Sequence, residues 1–547
     1  MISVMQNHVS EWTMESSKEY ANPFHEVSLH AEVTDPAGNL RRVPAFWGGG
    51  NIWRIRYSSA LTGTHTFRTV CSDAENPSLH GCTGEIEITP YEGSNPLLLH
   101  GGIQKSTDGR YLQHADGTPF FWLADTWWMG LTSRLSWPQG FQTLAQDRVQ
   151  KGFTAVQIVA GLYPDMEPFD ARGANEAGFP WDEQFHTINP AYFDAVDQKI
   201  QCLVNSCLLP CIVACWGFFA KFAGVGVIAK HWEYLIARWG AYPVVWCMAG
   251  EANMPFYNDE DVNSGRISRK DYAAQSRKDW TEMTRHVRLN DPFHRLVTIH
   301  PTSNGHEQIE DETLLDLDML QTGHSSYHSL LPTLRQVKAA LDRKALPVIN
   351  AEVCYEGICG SNGADIQRYL FWTCMLLGCC GHTYGANGIW QLNDEGRPYG
   401  PSPHGATWGD TPWQQAYRLP GSEQVGLGKK LLCRYDWWRF EFHPEWTESA
   451  CSLDNLNGYF AAGIPGEVRV VFRPFFGGAF FGEDLVYCLE KDVRYEAFYF
   501  NPINGDERRL GSVTPDEEGT WRSPRVTAFQ DWVLVMEKQR RALGSRI

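Results

Sequence analysis

The chain has 547 residues, with 43% hydrophobic and 20% charged content, so wholesale disorder is excluded and two or three domains are expected. A net charge of −17 excludes the basic face that a nucleic-acid backbone requires. No apolar run approaches the roughly 20 residues of a membrane span.

The chain carries 15 cysteines, and none forms a Cys-x-x-Cys pair; several sit in apolar runs (Cys202, Cys207, Cys211, Cys215, Cys374, Cys379, Cys380), where a thiol acts as a small hydrophobe. The N-terminal stretch Met1–His8 lacks a basic region followed by an apolar one. A reduced, cytoplasmic protein is therefore expected, acting without a membrane partner on small imported fragments. The 22 Trp, 21 Tyr and 28 Phe offer flat apolar faces with polar edges, which suit the C–H faces of sugar rings as well as β-rich cores.

Residues 1–95 alternate apolar and polar in short runs such as Val27–Val33, Ile52–Tyr57 and Thr64–Val70, broken by Gly, Pro, Asp and Asn. That pattern predicts an antiparallel β-sandwich, followed by a linker at Tyr91–Pro96.

From residue 96 to 433 the rhythm becomes strand, helix, strand. Eight apolar strands are expected at Phe120–Asp125, Ala155–Ala160, Pro210–Trp216, Val244–Gly250, Leu296–His300, Asp318–Thr322, Pro347–Ala351 and His382–Trp390. His231–Gly240 and Asp271–Trp280 space apolar residues three and four apart, as helices do. Eight such units predict a (β/α)8 barrel, whose chemistry gathers where the strands end. From 434 to 547 the helical period disappears, and Val468–Phe472, Tyr495–Phe500 and Trp532–Met536 predict a second β-sandwich. The fold class is thus α/β, a TIM barrel flanked by two all-β domains.

Two of the strand ends carry a glutamate. The fourth closes as Ala249-Gly250-Glu251-Ala252-Asn253, where the glycine is expected to turn the backbone so that Glu251 projects over the axis. The seventh closes as Ala351-Glu352. Two carboxylates across one mouth are what glycoside hydrolysis needs, one to protonate the leaving oxygen and one to attack the anomeric carbon from roughly 5–5.5 Å away in a retaining enzyme. Asp125, Trp127, Trp216, Asn253, His300, His324, Tyr327 and Trp390 also fall at or just beyond strand ends, as candidate substrate-binding residues. Asp125 reads equally as a helix cap. His324 and His328 lie i, i+4 without a His-Glu-x-x-His context, so a pocket histidine is expected and no metal. Phosphate-binding loops, nucleophile elbows and dinucleotide fingerprints are missing from any supporting strand-to-helix context, and no cofactor is expected.

The stretch Asp108–Trp128 closely resembles the barrel entry of apiosidase-like glycoside hydrolases, and Leu346–Gly357 resembles their strand-seven motif. The resemblance implies an N-terminal β-sandwich, a catalytic barrel and a C-terminal β-sandwich. It also implies retaining chemistry, with Glu251 as acid/base and Glu352 as nucleophile. One departure stands out: apiosidase-like sequences typically read Gly-Gly-Asp where this chain reads Ala249-Gly250-Glu251, so the leaving group is held by a longer acid. The expectation is an exo-acting glycosidase that releases a terminal sugar, an apiose-like furanose or another pentose or hexose, from an oligosaccharide or glycoside. A transglycosylase on the same site and a non-catalytic carbohydrate-binding protein are the other readings. The β-sandwiches are expected to pack on the barrel or to serve a homo-oligomer interface.

Overall fold

A computed structural model describes residues 1–448, 453–476, 484–526 and 528–539. The N-terminal part is a seven-stranded sheet whose long strand, Leu40–Gly49, pairs with Leu29–Thr34 through its first half and with Ile52–Tyr57 through its second. The sheet folds over on itself along that strand, so Trp12 from one half stacks on Phe67 from the other, ring centroids 4.6 Å apart. Ala31, Val33, Val43, Ile55, Ile86 and Ile88 fill the space between, the inward half of a period-two pattern.

The centre is an eight-stranded parallel sheet: Trp122–Trp127, Ala155–Leu162, Leu209–Cys215, Val245–Cys247, Val297–Thr298, Asp318–Gln321, Val348–Glu352 and Gly381–Tyr384. First and eighth strands pair in register, with Leu123 opposite His382. Fifth and sixth are joined by single bonds, such as Asp316 N–H to the Val297 carbonyl at 2.9 Å. All eight strands are buried, which is why they read as unbroken apolar runs. The eighth is shorter than its sequence suggested. It stops at Tyr384, Gly385 packs so closely on the Tyr355 ring that a Cβ there would lie 2.1 Å from it, and residues 385–412 continue as a long loop.

Helices follow every strand but the fifth, after which only the short 3-10 turns Gly305–Gln308 and Glu312–Leu314 intervene. The two helices read from apolar spacing are Val225–Trp239 and Arg269–Asn290, the latter capped by Ser268 Oγ accepting from Asp271 N–H at 3.1 Å.

Beyond the barrel lies a six-stranded antiparallel sheet. Phe460, Val470, Phe472, Phe498 and Val535 face the barrel, where Trp372 of helix Ala364–Leu377 stacks on Phe472. The alternate residues Tyr459, Val471, Tyr499 and Leu534 form a separate core on the other side, beneath the ribbon of Leu485–Val486 and Trp521–Arg522. Both faces are covered, so its strands carry apolar residues on each.

A charged cluster ties the N-terminal sheet to the barrel. Arg56 reaches Asp197 on helix Pro190–Asn205 at 3.1 Å, and Arg238 reaches the same carboxylate at 2.7 Å. Burial opposes ionisation of Asp197, but the charges of Arg238 and Arg56 hold its pKa down at about 2.

Candidate active site

At the strand ends, Glu251 and Glu352 share one mouth and interact electrostatically. Glu251 Oε2 accepts from Trp216 Nε1 and Oε1 from Gln321 Nε2, each at 3.0 Å. Burial, and next the charge of Glu352, push its pKa above the ordinary carboxylate value despite those two donors. Such a group is protonated where an ordinary glutamate is not.

Glu352 has the opposite environment. His324 Nε2 stands 2.9 Å from its Oε1, and His300 Nε2 stands 3.4 Å from Oε2, an ion-pair distance rather than a directed hydrogen bond. His324 Nδ1 accepts the Tyr355 backbone N–H at 3.3 Å, so the ring proton belongs on Nε2, where it points at Glu352. Burial works against the charge, yet the two imidazoles hold Glu352 well below the usual carboxylate range. Glu352 is therefore the more readily ionised of the pair and Glu251 the more readily protonated, a difference that lets two chemically identical groups take different roles.

The turn that aims Glu251 is not made by glycine. Gly250 has ordinary backbone angles, and Glu251 itself takes the left-handed conformation, φ +43°. Strain of this kind costs roughly 1–3 kcal/mol and persists where the surroundings enforce it. The glycine is required for another reason: a Cβ at residue 250 would sit 2.2 Å from the Trp216 ring. Trp216 is in turn braced edge-to-face by Trp128, centroids 5.4 Å apart, and Trp128 packs on His300 at 5.2 Å.

Three sequence expectations for the site are corrected. Asp125 and Trp127 point away from the mouth. Asp125 is fully buried and accepts from Arg148 Nε at 2.6 Å and from Trp127 Nε1 at 2.7 Å, and Trp127 packs on Phe141 of helix Gln139–Gln150. Alternation along the first strand sends residues 125 and 127 outward to that helix, and the residue that enters the mouth is Trp128. Tyr327 is 48% exposed and donates to Asp365 at 2.5 Å, with its ring against Phe476. It serves the outer flank, since its 3-10 turn has already left the strand end.

Asn253 directs its amide to the Gln308 carbonyl at 3.4 Å. Trp390 lies against Tyr399, 5.3 Å between centroids, with its buried Nε1 lacking a partner among the described residues. Glu356, in the same motif as Glu352, is sealed away by Tyr384 Oη at 2.6 Å and Gly421 N–H at 3.0 Å.

Sequence reasoning missed Gln321, Tyr355, Tyr257 and Asp165, and chose Trp127 where its neighbour Trp128 enters the mouth. Counting alternate residues along the sixth strand would have found Gln321. Tyr355 places a buried hydroxyl near Glu352, and burial with that charge raises the phenol pKa well above normal. Tyr257 and Asp165 belong to loops after the fourth and second strands, where no periodicity exists to read.

Strands four and eight stand opposite each other in the barrel. The 385–412 loop nevertheless spans that distance: Pro403 O accepts from Asn258 Nδ2 at 3.4 Å, and Tyr399 Oη donates to Pro164 O at 3.2 Å. Arg172 fastens it by donating to the carbonyls of Tyr399 and Pro401 at 2.7 and 3.0 Å. It therefore roofs part of the mouth. A cavity of about 670 Å³ opens elsewhere, between the N-terminal sheet and helix Val225–Trp239, and its lining includes neither Glu251 nor Glu352.

Residues 106–439 match the family described as apiosidase-like, catalytic domain, and residues 3–72 match a domain of unknown function, DUF5060. No curated protein is significantly similar in sequence. A solved structure described as a glycoside hydrolase is 19% identical with a TM-score of 0.67, over 82% of this chain and 99% of that one. A glycoside hydrolase family 5 structure from Bacteroides vulgatus ATCC 8482 is 19% identical with a TM-score of 0.66, over 83% and 96%. A further structure from that organism is 17% identical with a TM-score of 0.69, over 98% and 100%, so the similarity of fold extends along nearly the whole chain.

Proposed function

The chain belongs to the apiosidase-like glycoside hydrolases, and from that premise we propose that it is a retaining exo-glycosidase with Glu251 as acid/base and Glu352 as nucleophile. The observation that carries this reading is that two carboxylates share one mouth in opposite surroundings, Glu352 between the imidazoles of His324 and His300 and Glu251 held by the Trp216 indole and the Gln321 amide. Glu352 attacks the anomeric carbon while Glu251 gives its proton to the departing oxygen. The glycosyl-enzyme ester is then cleaved by a water that Glu251, now ionised, deprotonates. Tyr355 keeps its proton and is placed to donate towards the nucleophile side.

Exo action is supported by the 385–412 loop, which bonds to the loops after the second and fourth strands and so narrows access from that side. The substrate is an oligosaccharide or glycoside from which one terminal sugar is released, an apiose-like furanose or another pentose or hexose. A cytoplasmic setting is part of the proposal; the 14 cysteines among the described residues are all free thiols, as a reducing compartment favours.

The test is a screen of aryl glycosides of pentoses and hexoses, both anomers and both ring sizes, with wild type beside Glu352→Ala. Proton NMR of the first-formed sugar then reads its configuration. Net retention is expected; a product of inverted configuration would overturn the double displacement.

A further inference from the structure

A third carboxylate lies on the acid side of the mouth. Asp165, three residues beyond the second strand, is buried and held at φ +61°. Ser402, from the crossing loop, donates its hydroxyl to Asp165 Oδ2, while Oδ1 is buried without a partner among the described residues. Asp125 makes a useful contrast, for both of its oxygens are satisfied by protein donors. A buried carboxylate oxygen left without a donor is unfavourable, and at the edge of a binding mouth a ligand hydroxyl is the group that supplies one.

Tyr257 joins Asp165 to the acid. It sits on the loop after the fourth strand, where its neighbour Asn258 donates to Pro403 O beside Ser402, and burial, then the charges of Asp165 and Glu251, then a contact with the Asp165 carboxylate push its phenol up. Its ring also belongs to a line of aromatics leading outward: His404 lies 5.3 Å away, and Trp408 lies 5.2 Å beyond that. Tyr257 and Trp408 are half-buried and His404 is exposed, so the line reaches solvent. The leaving oxygen must come within hydrogen-bond reach of Glu251, so whatever departs begins on this flank.

We propose that Asp165, Tyr257 and Ser402 form the subsite of the leaving group, and that this group is a neutral, hydroxyl-bearing sugar ring. It rests on Glu251 being the acid. The ring lays a C–H face on Tyr257 and gives a hydroxyl to Asp165 Oδ1. A carboxylate already in that place disfavours a uronic acid there, since two carboxyl groups would compete for the same donors.

The experiment compares three substrates sharing the terminal sugar found in the screen: its 4-nitrophenyl glycoside, its disaccharide with glucose and its disaccharide with glucuronic acid. For wild type, Asp165→Asn and Ser402→Ala, kcat/KM is measured on each. A hydrogen bond to a charged group is worth more than about tenfold in binding. The expected result is therefore that Asp165→Asn lowers the glucose-disaccharide to aryl-glycoside ratio at least about tenfold, and raises the glucuronic acid to glucose ratio. Ser402→Ala should move both ratios the same way by less, and decides the matter if Asp165→Asn fails to fold. Parallel loss on all three substrates, or unmoved ratios, would overturn the subsite while leaving the hydrolase reading intact. A wild type inert on every aryl glycoside and disaccharide would overturn both.

Discussion

The Trp216 indole N–H donates to Glu251 at 3.0 Å, and the same ring occupies the space where a residue-250 side chain would stand. One aromatic side chain thus sets both the direction of the acid and the identity of the residue before it. Gly250→Ala is expected to displace the Trp216 ring, break its bond to Glu251 and remove most of kcat. Overpacking of this sort costs roughly 1–3 kcal/mol. Thermal unfolding with parallel kinetics checks this; an alanine variant with full kcat would show that Trp216 does not position the acid.

The pH profile follows from the two carboxylates. In the proposed mechanism activity requires Glu352 ionised and Glu251 protonated. It should rise as pH passes upward through the depressed pKa of Glu352 and fall as pH passes through the raised pKa of Glu251. The alkaline limb of kcat/KM then lies above 4.5 and the acid limb below the usual carboxylate range. Glu251→Gln should erase the alkaline limb and lower kcat by about 10²–10⁴-fold, least for aryl glycosides whose leaving group needs no proton. An unchanged profile in that variant would assign the acid elsewhere.

His324→Ala removes the donor 2.9 Å from Glu352, so the nucleophile becomes harder to ionise. The acid limb should move upward and kcat should fall at low pH more than at neutral pH. A uniform loss across pH would mean that His324 only supports the loop carrying Tyr355.

Asp125 is a structural partner of Arg148, and both side chains are fully buried. Asp125→Ala strands the guanidinium in the interior, a change of roughly 3–5 kcal/mol for a broken buried pair. The expected result is a large drop in Tm with KM of the folded protein little altered; a raised KM at unchanged Tm would return Asp125 to the substrate.

Acid should loosen the N-terminal sheet first. The Asp197 pKa is depressed to about 2, so its contribution is complete above its ordinary value of 3.8 and is lost as pH falls through about 2. The difference amounts to about 2 kcal/mol. Asp197→Asn should be destabilised at neutral pH and show a flatter loss of stability between pH 4 and 2, measured by denaturant titration.

How much was legible depends on whether the signal was local. Buried parallel strands announce themselves, because being covered on both faces demands consecutive apolar residues, and that located eight strands and put Glu251 and Glu352 at two of their ends. The eighth was overextended because glycines and aromatics after Tyr384 look apolar while they build a loop. Trp128 was passed over for Trp127, although the two are adjacent, because an apolar run hides the alternation that tells inside from outside.

The sequence by itself determined the architecture and the two glutamates, since hydrophobic period and strand-end position are properties of neighbouring residues. Only the tertiary structure decided which of the two carboxylates is pushed towards its protonated form and which towards its ionised form. That difference comes from Trp216, Gln321, His300 and His324, which reach the mouth from the ends of the third, fifth and sixth strands, and a carboxylate's charge state is set by what lies within a few ångströms in space, whatever its distance along the chain.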